Sequence, residues 1–123
     1  MAIITSHFLN GVDGTHAAGV AASLIRISAD GTRTVLQEAH SDDGGRLRLE
    51  MDAASHADTD QPGDAQYELV IASGAYFTNR QPPPAGMTIK RDIVMRFDMP
   101  DPAAHYHMPV IMSPNSYSTW WSS

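Results

Sequence analysis

His105-Tyr106-His107 carries the most chemistry per residue in this chain, because two imidazoles two positions apart on an extended backbone leave the same face of it. Their unperturbed pKa of about 6.5 suits proton transfer at neutral pH. The same spacing also fits two solvated side chains, or two nitrogens offered to Zn²⁺. Tyr106, Met108, Val110 and Met112 alternate with them and should form the core face of a strand running from His105 to Met112. A third imidazole, His7, sits between Ser6 and Phe8; alone it reads more readily as a hydrogen-bonded structural residue than as a catalyst. Arg46 follows Gly44-Gly45 at the start of another alternating run. Its planar guanidinium is either one half of a surface salt bridge or a fixed donor for a carbonyl or anionic oxygen. His16, His40 and His56 have no partner in any sequence pattern and are expected on the surface.

From Pro102 to Ser123 the chain has no Asp, Glu, Lys or Arg, yet carries Tyr117, Trp120 and Trp121. Chain ends are usually solvated and frayed. An aromatic end without charge is better buried against another surface, here expected to be a second subunit.

The elements that must position these groups read as short strands. Extended patterns cover Ile3 to Leu9, Gly19 to Ile27, Arg33 to Glu38, Arg46 to Met51, Gln66 to Ala72, Arg91 to Met99, His105 to Met112 and Ser116 to Ser123. Asn10-Gly11, Asp13-Gly14, Asp30-Gly31 and Asp43-Gly44-Gly45 punctuate them as turns. In the fourth run Leu47, Leu49 and Met51 face inward and Arg46, Arg48 and Glu50 outward; Ile93, Met95, Phe97 and Met99 likewise share one side. One short helix is expected from Ser73, stopped before Pro82-Pro83-Pro84, and Ala54 to Gly63 reads as an exposed loop without a functional role. About eight strands and one helix make an all-β sandwich of two antiparallel sheets.

The length of 123 residues fits one domain, residues 1–123. A net charge of −6 argues against nucleic-acid or anionic-lipid partners. Without cysteine there is no disulfide, thiolate metal site or Cys nucleophile. No basic, apolar leader opens the sequence and no run is long enough to span a membrane, so a cytoplasmic protein is expected.

Taken in order, Ser6-His7-Phe8-Leu9-Asn10, Gly14 to Val20, Gly45-Arg46, Gly74-Ala75-Tyr76-Phe77, Asp101-Pro102-Ala103-Ala104-His105-Tyr106-His107-Met108-Pro109, Ser113-Pro114 and Tyr117-Ser118-Thr119 resemble the 5-hydroxyisourate hydrolases, the transthyretin-related proteins. His-Tyr-His-x-Pro and the Tyr-Ser-Thr before the C-terminus are the most specific parts. The resemblance implies a transthyretin-like sandwich of two four-stranded antiparallel sheets, assembled as a homotetramer with sites in a channel between dimers. It implies a small purine-derived substrate and neither cofactor nor metal. In such proteins the first-strand histidine, the arginine after the glycine turn and the second histidine of His-x-His line the site, which maps catalytic roles onto His7, Arg46 and His107. Trp120, Trp121 and Ser123 of the C-terminal tetrapeptide, with His105, would surround the substrate.

Several residues depart from the family pattern. The usual Tyr-Arg-Gly-Ser ending is here Trp120-Trp121-Ser122-Ser123, so an indole stands where the site arginine is common. Asn10 replaces a common Asp, His16 a common Pro, and Gly44 the Asp before Gly-Arg. The expected activity is hydrolysis of a cyclic amide, with an N-methylated 5-hydroxyisourate of methylxanthine origin as the favoured substrate. Unsubstituted 5-hydroxyisourate and non-catalytic binding of a small aromatic ligand are the alternatives.

Overall fold

The computed structural model describes residues 1–52, 65–80 and 86–122. Ala54 to Gly63, with His56, and the Pro82-Pro83-Pro84 run therefore lie outside the described residues, as does Ser123. Along the chain come β1 (Ala2–Asn10), β2 (Ala21–Ile27), β3 (Arg33–His40), β4 (Arg46–Met51), β5 (Gln66–Ile71), α1 (Ser73–Thr78), β6 (Ile93–Phe97), β7 (His105–His107), β8 (Val110–Ser113) and β9 (Ser116–Thr119). Among the described residues no helix is long and apolar enough to cross a membrane.

Strict alternation in β1 sends Ala2, Ile4, Ser6, Phe8 and Asn10 inward and Ile3, Thr5, His7 and Leu9 outward. β4 does the same with Leu47, Leu49 and Met51 buried. These side chains meet Leu24, Leu69, Ile71 and Ile93 of the other sheet, together with Tyr106, Met108, Val110 and Met112, in one apolar core. The two buried polar side chains of β1 are satisfied: Ser6 Oγ donates to the Met108 carbonyl at 2.7 Å, and Asn10 Oδ1 accepts from the Val12 N–H at 2.8 Å.

One sheet has the order β3-β2-β5-β6, antiparallel throughout. The other runs β4-β1-β8-β9, with β7 also paired to β1, giving five strands. Two details differ from the sequence reading. The β1 pairings with β7 and β8 are parallel, because the last hairpin enters this sheet only after the chain has crossed through the other one. The single strand expected from His105 to Met112 is interrupted at Met108-Pro109, although Thr5 opposite His107 and Phe8 opposite Val110 keep a constant offset. Proline has no N–H to give the ladder, so the register survives while the bonding lapses.

Candidate active site

The outward face of the β4-β1-β7 part of this sheet gathers the candidate residues. His7 lies directly opposite Arg46 of β4, and Thr5 directly opposite both Arg48 of β4 and His107 of β7. Parallel pairing thus brings an imidazole from residue 107 beside a strand near residue 5, and alternation turns all of these side chains to the same side.

Arg46 is delivered by a tight turn. Asp42 Oδ1 accepts from the N–H groups of Gly44 at 3.0 Å and Arg46 at 2.9 Å, and the Asp42 N–H donates to the Arg46 carbonyl at 2.9 Å. Gly45 has φ +75°, and its carbonyl accepts from the Phe8 N–H at 2.8 Å, tying the turn to β1. Among the described residues no ion pair engages the Arg46 guanidinium, whereas Arg48 pairs with Glu50 at 2.7 Å. Of the two guanidiniums on this face, Arg46 is therefore the one without an ion pair among the described residues.

The two histidines of β7 converge on one hydroxyl. Thr5 Oγ1 stands 2.7 Å from His105 Nε2 and 2.8 Å from His107 Nδ1. A hydroxyl has one proton to give, so at most one of the two facing nitrogens accepts from it. With Nδ1 of His107 facing Thr5, Nε2 is left without a hydrogen-bond partner among the described residues. Burial, then the charges of His105 and His7, push the His107 pKa below its usual value, which keeps this ring neutral and basic at neutral pH. An open hollow of ≈ 510 Å³ runs between Thr5, Asp42, Arg46, Arg48, His105 and His107.

The tail reaches the same region. The N–H of His107 donates to the Ser122 carbonyl at 3.1 Å, and the Ser122 N–H to the His107 carbonyl at 2.9 Å. Val110 opposite Thr119 and His107 opposite Ser122 keep one register, which brings the tail alongside β7 and its histidines. In the single chain Trp120 is 47% and Trp121 62% exposed. The tail that pairs with His107 is the chain's own.

Two residues that sequence reasoning passed over belong to this face. Thr5 had a signal, since it is two positions before His7 on an alternating strand. His16, expected to be an unpartnered surface residue, instead places Nδ1 2.9 Å from His7 Nε2, with the rings stacked at a centroid distance of 5.0 Å. His40 is exposed on β3 in the opposite sheet, away from this face. Among the described residues no group of three or more His, Cys, Asp or Glu is placed to hold a metal ion; the two β7 histidines turn a nitrogen each to Thr5 instead.

Residues 4–121 match the model of the HIUase/Transthyretin family. The chain belongs to this family. The 5-hydroxyisourate hydrolase of Mesorhizobium japonicum is 34% identical over 123 residues, covering 98% of this chain and 91% of that protein. The 5-hydroxyisourate hydrolase 2 of Rhizobium meliloti is 32% identical over 124 residues, covering 98% and 95%. The crystal structure of transthyretin from Sparus aurata superposes with a TM-score of 0.74 at 25% identity, over 97% of this chain and 95% of that one. The HIUase/Transthyretin fold thus holds proteins named as hydrolases and as transthyretin, and the side chains on the β4-β1-β7 face must decide between such roles.

Proposed function

We propose that this protein is a 5-hydroxyisourate hydrolase of purine degradation, opening a cyclic amide ring with water and without a covalent enzyme intermediate. The observation that carries the reading is the convergence of His7, Arg46 and His107 on one sheet face, with His7 and Arg46 directly opposite in register. A ligand carrier has no need of two proton-transfer groups beside an unpaired guanidinium. Full-length relatives named 5-hydroxyisourate hydrolase supply the substrate class.

In this mechanism the neutral His107, free at Nε2, and His7 orient and deprotonate water. Hydroxide adds to the ring carbonyl, Arg46 donates to the oxygen that becomes negative, and the C–N bond breaks as the ring nitrogen takes a proton. The products are an N–H and a carboxylate, with one proton released to solvent. His105 and the tail residues Trp120, Trp121 and Ser123 shape the substrate's surroundings. The charge-free aromatic tail supports a homotetramer in which a second pair of subunits closes this open face.

The finer substrate assignment is an N-methylated 5-hydroxyisourate, of the kind a methylxanthine such as caffeine would yield on oxidation. It rests on Trp121 standing where an arginine is common: a five-donor fork suited to imide and ureide edges is exchanged for a flat apolar wall. Each methyl so accommodated contributes about 0.8 kcal/mol. Ring-opening rates on freshly generated methylated and unmethylated substrate test both levels. A higher kcat/KM on the methylated ring, reversed in Trp121→Arg, is the expected result. Preference for the unmethylated ring leaves the hydrolase and removes the methyl specificity; no turnover of either removes the hydrolase.

A further inference from the structure

His16 occupies a turn that is braced before any ligand arrives. The Asn10 N–H donates to the Thr15 carbonyl at 2.8 Å and the Ala17 N–H to the Phe8 carbonyl at 2.9 Å, so the backbone on both sides of His16 is bound to β1 and its neighbourhood, with His16 bridged to Leu9. Within the turn, Asp13 Oδ1 accepts from the Thr15 N–H at 3.0 Å and hydroxyl at 2.7 Å, while Arg80 grips Asp13 Oδ2 at 2.8 Å. A ring mounted on this support lies diagonally across from His7, where its Nδ1 meets Nε2 of His7 at 2.9 Å. His16 is exposed, so its ring borders solvent.

We propose that His16 is a positioning residue that acts through His7, holding it in the Nε2–H form and carrying its surplus proton to solvent. This rests on the hydrolase reading above. With Nε2 of His7 donating to Nδ1 of His16, the remaining nitrogen of His7, Nδ1, carries a lone pair and is the basic one. As water attacks the ring carbonyl, its O–H bond breaks and an N–H bond forms at Nδ1 of His7. The Nε2–H of His7 then breaks and an N–H forms at Nδ1 of His16. The resulting imidazolium gives up its Nε2 proton to bulk water, while the ring nitrogen takes the proton of the added hydroxyl as the C–N bond breaks. The product leaves as the carboxylate, the relayed proton is the one that ring opening sets free, and the two imidazoles return to their starting tautomers by exchange with solvent.

Two readouts test this, on full-length protein. Ring ¹⁵N shifts report the tautomer of His7 without any substrate, and the Nε2–H form is expected. Steady-state rates on both hydroxyisourates are then compared for wild type, His16→Gln, whose amide oxygen accepts the same hydrogen bond but takes no proton, and His16→Gly. Both variants should lose about tenfold in kcat with KM nearly unchanged, less than the hundredfold or more lost with a group that takes the proton from water itself. Added imidazole should restore His16→Gly and leave wild type unaltered. Unchanged kcat in both variants, a His16→Gln enzyme as fast as wild type, or an Nδ1–H tautomer at His7 overturns the inference. Absence of turnover by wild type overturns the hydrolase reading itself, whereas turnover with indifferent variants removes only His16.

Discussion

Arg46 and His107 are prepared in opposite ways. The guanidinium is exposed, always charged and free of ion pairs among the described residues, so nothing competes for its donors. Arg46→Ala should lower kcat/KM by about a hundredfold or more while thermal unfolding stays within a degree or two, because the proposed oxyanion donor is lost and no packing is. Assay and melting curve together check this. His107 is kept neutral, first by burial and then by the neighbouring charges of His105 and His7. Its catalytic form should therefore persist below the usual histidine range and vanish only as pH falls through the lowered pKa. His105→Ala removes one of the repelling charges, so the acid limb of the kcat/KM profile should move to higher pH; a limb that stays or moves down contradicts the assignment. The stability consequence has the same sign. The unfolded chain takes up this proton more readily than the folded one, so folding loses stability as pH drops from the ordinary histidine range toward the lowered pKa, and is indifferent above it.

Among the elements, the turn before β4 is the most demanding of its sequence. Gly45 holds φ +75°, and a Cβ there would stand 2.5 Å from the Phe8 carbonyl oxygen, a contact no side chain makes. Gly45→Ala must break the Phe8–Gly45 backbone bond and shift Arg46 away from His7. A loss of more than about 1 kcal/mol in denaturant melts is expected, with reduced kcat/KM from the protein that still folds. β5 shows a different device: Glu68 is buried at an outward position of its strand and held by Arg33 and Arg96. Burial opposes its ionisation, but the two arginines outweigh it and keep the carboxyl below the usual range. This anchors β3 and β6 to β5 without touching the candidate site.

For the whole molecule, the asymmetry between its two ends of chemistry and assembly is one of charge. The face around β1 concentrates His7, His16, His105, His107 and Arg46 in a protein of net charge −6, while the adjoining tail carries aromatics without a single ionic group. Tyr117, Trp120 and Trp121 remain substantially exposed in the single chain, and indoles bury about 150–250 Å² each when covered. A Trp120→Ser, Trp121→Ser double variant should shift light-scattering mass from that of the proposed tetramer toward smaller species at micromolar concentration. An unaltered mass profile would place the assembly surface elsewhere.

What was legible in the chain by itself is whatever has a period of two. The inward sets of β4, β6 and the His105 to Met112 segment follow from alternation alone, since a strand must send successive side chains to opposite faces. Gly45 before Arg46 announced a turn, and the shared face of His105 and His107 needed only their spacing. Local pattern is silent, however, on which strands become neighbours. The parallel pairing of Thr5 with His107, the Thr5 hydroxyl between two imidazoles, and the meeting of His16 with His7 across a folded turn exist only after distant segments have packed on one core. A residue's face is decided by its own backbone. Its partner is decided by burial of apolar surface summed over the whole chain, and the candidate site is made of partners.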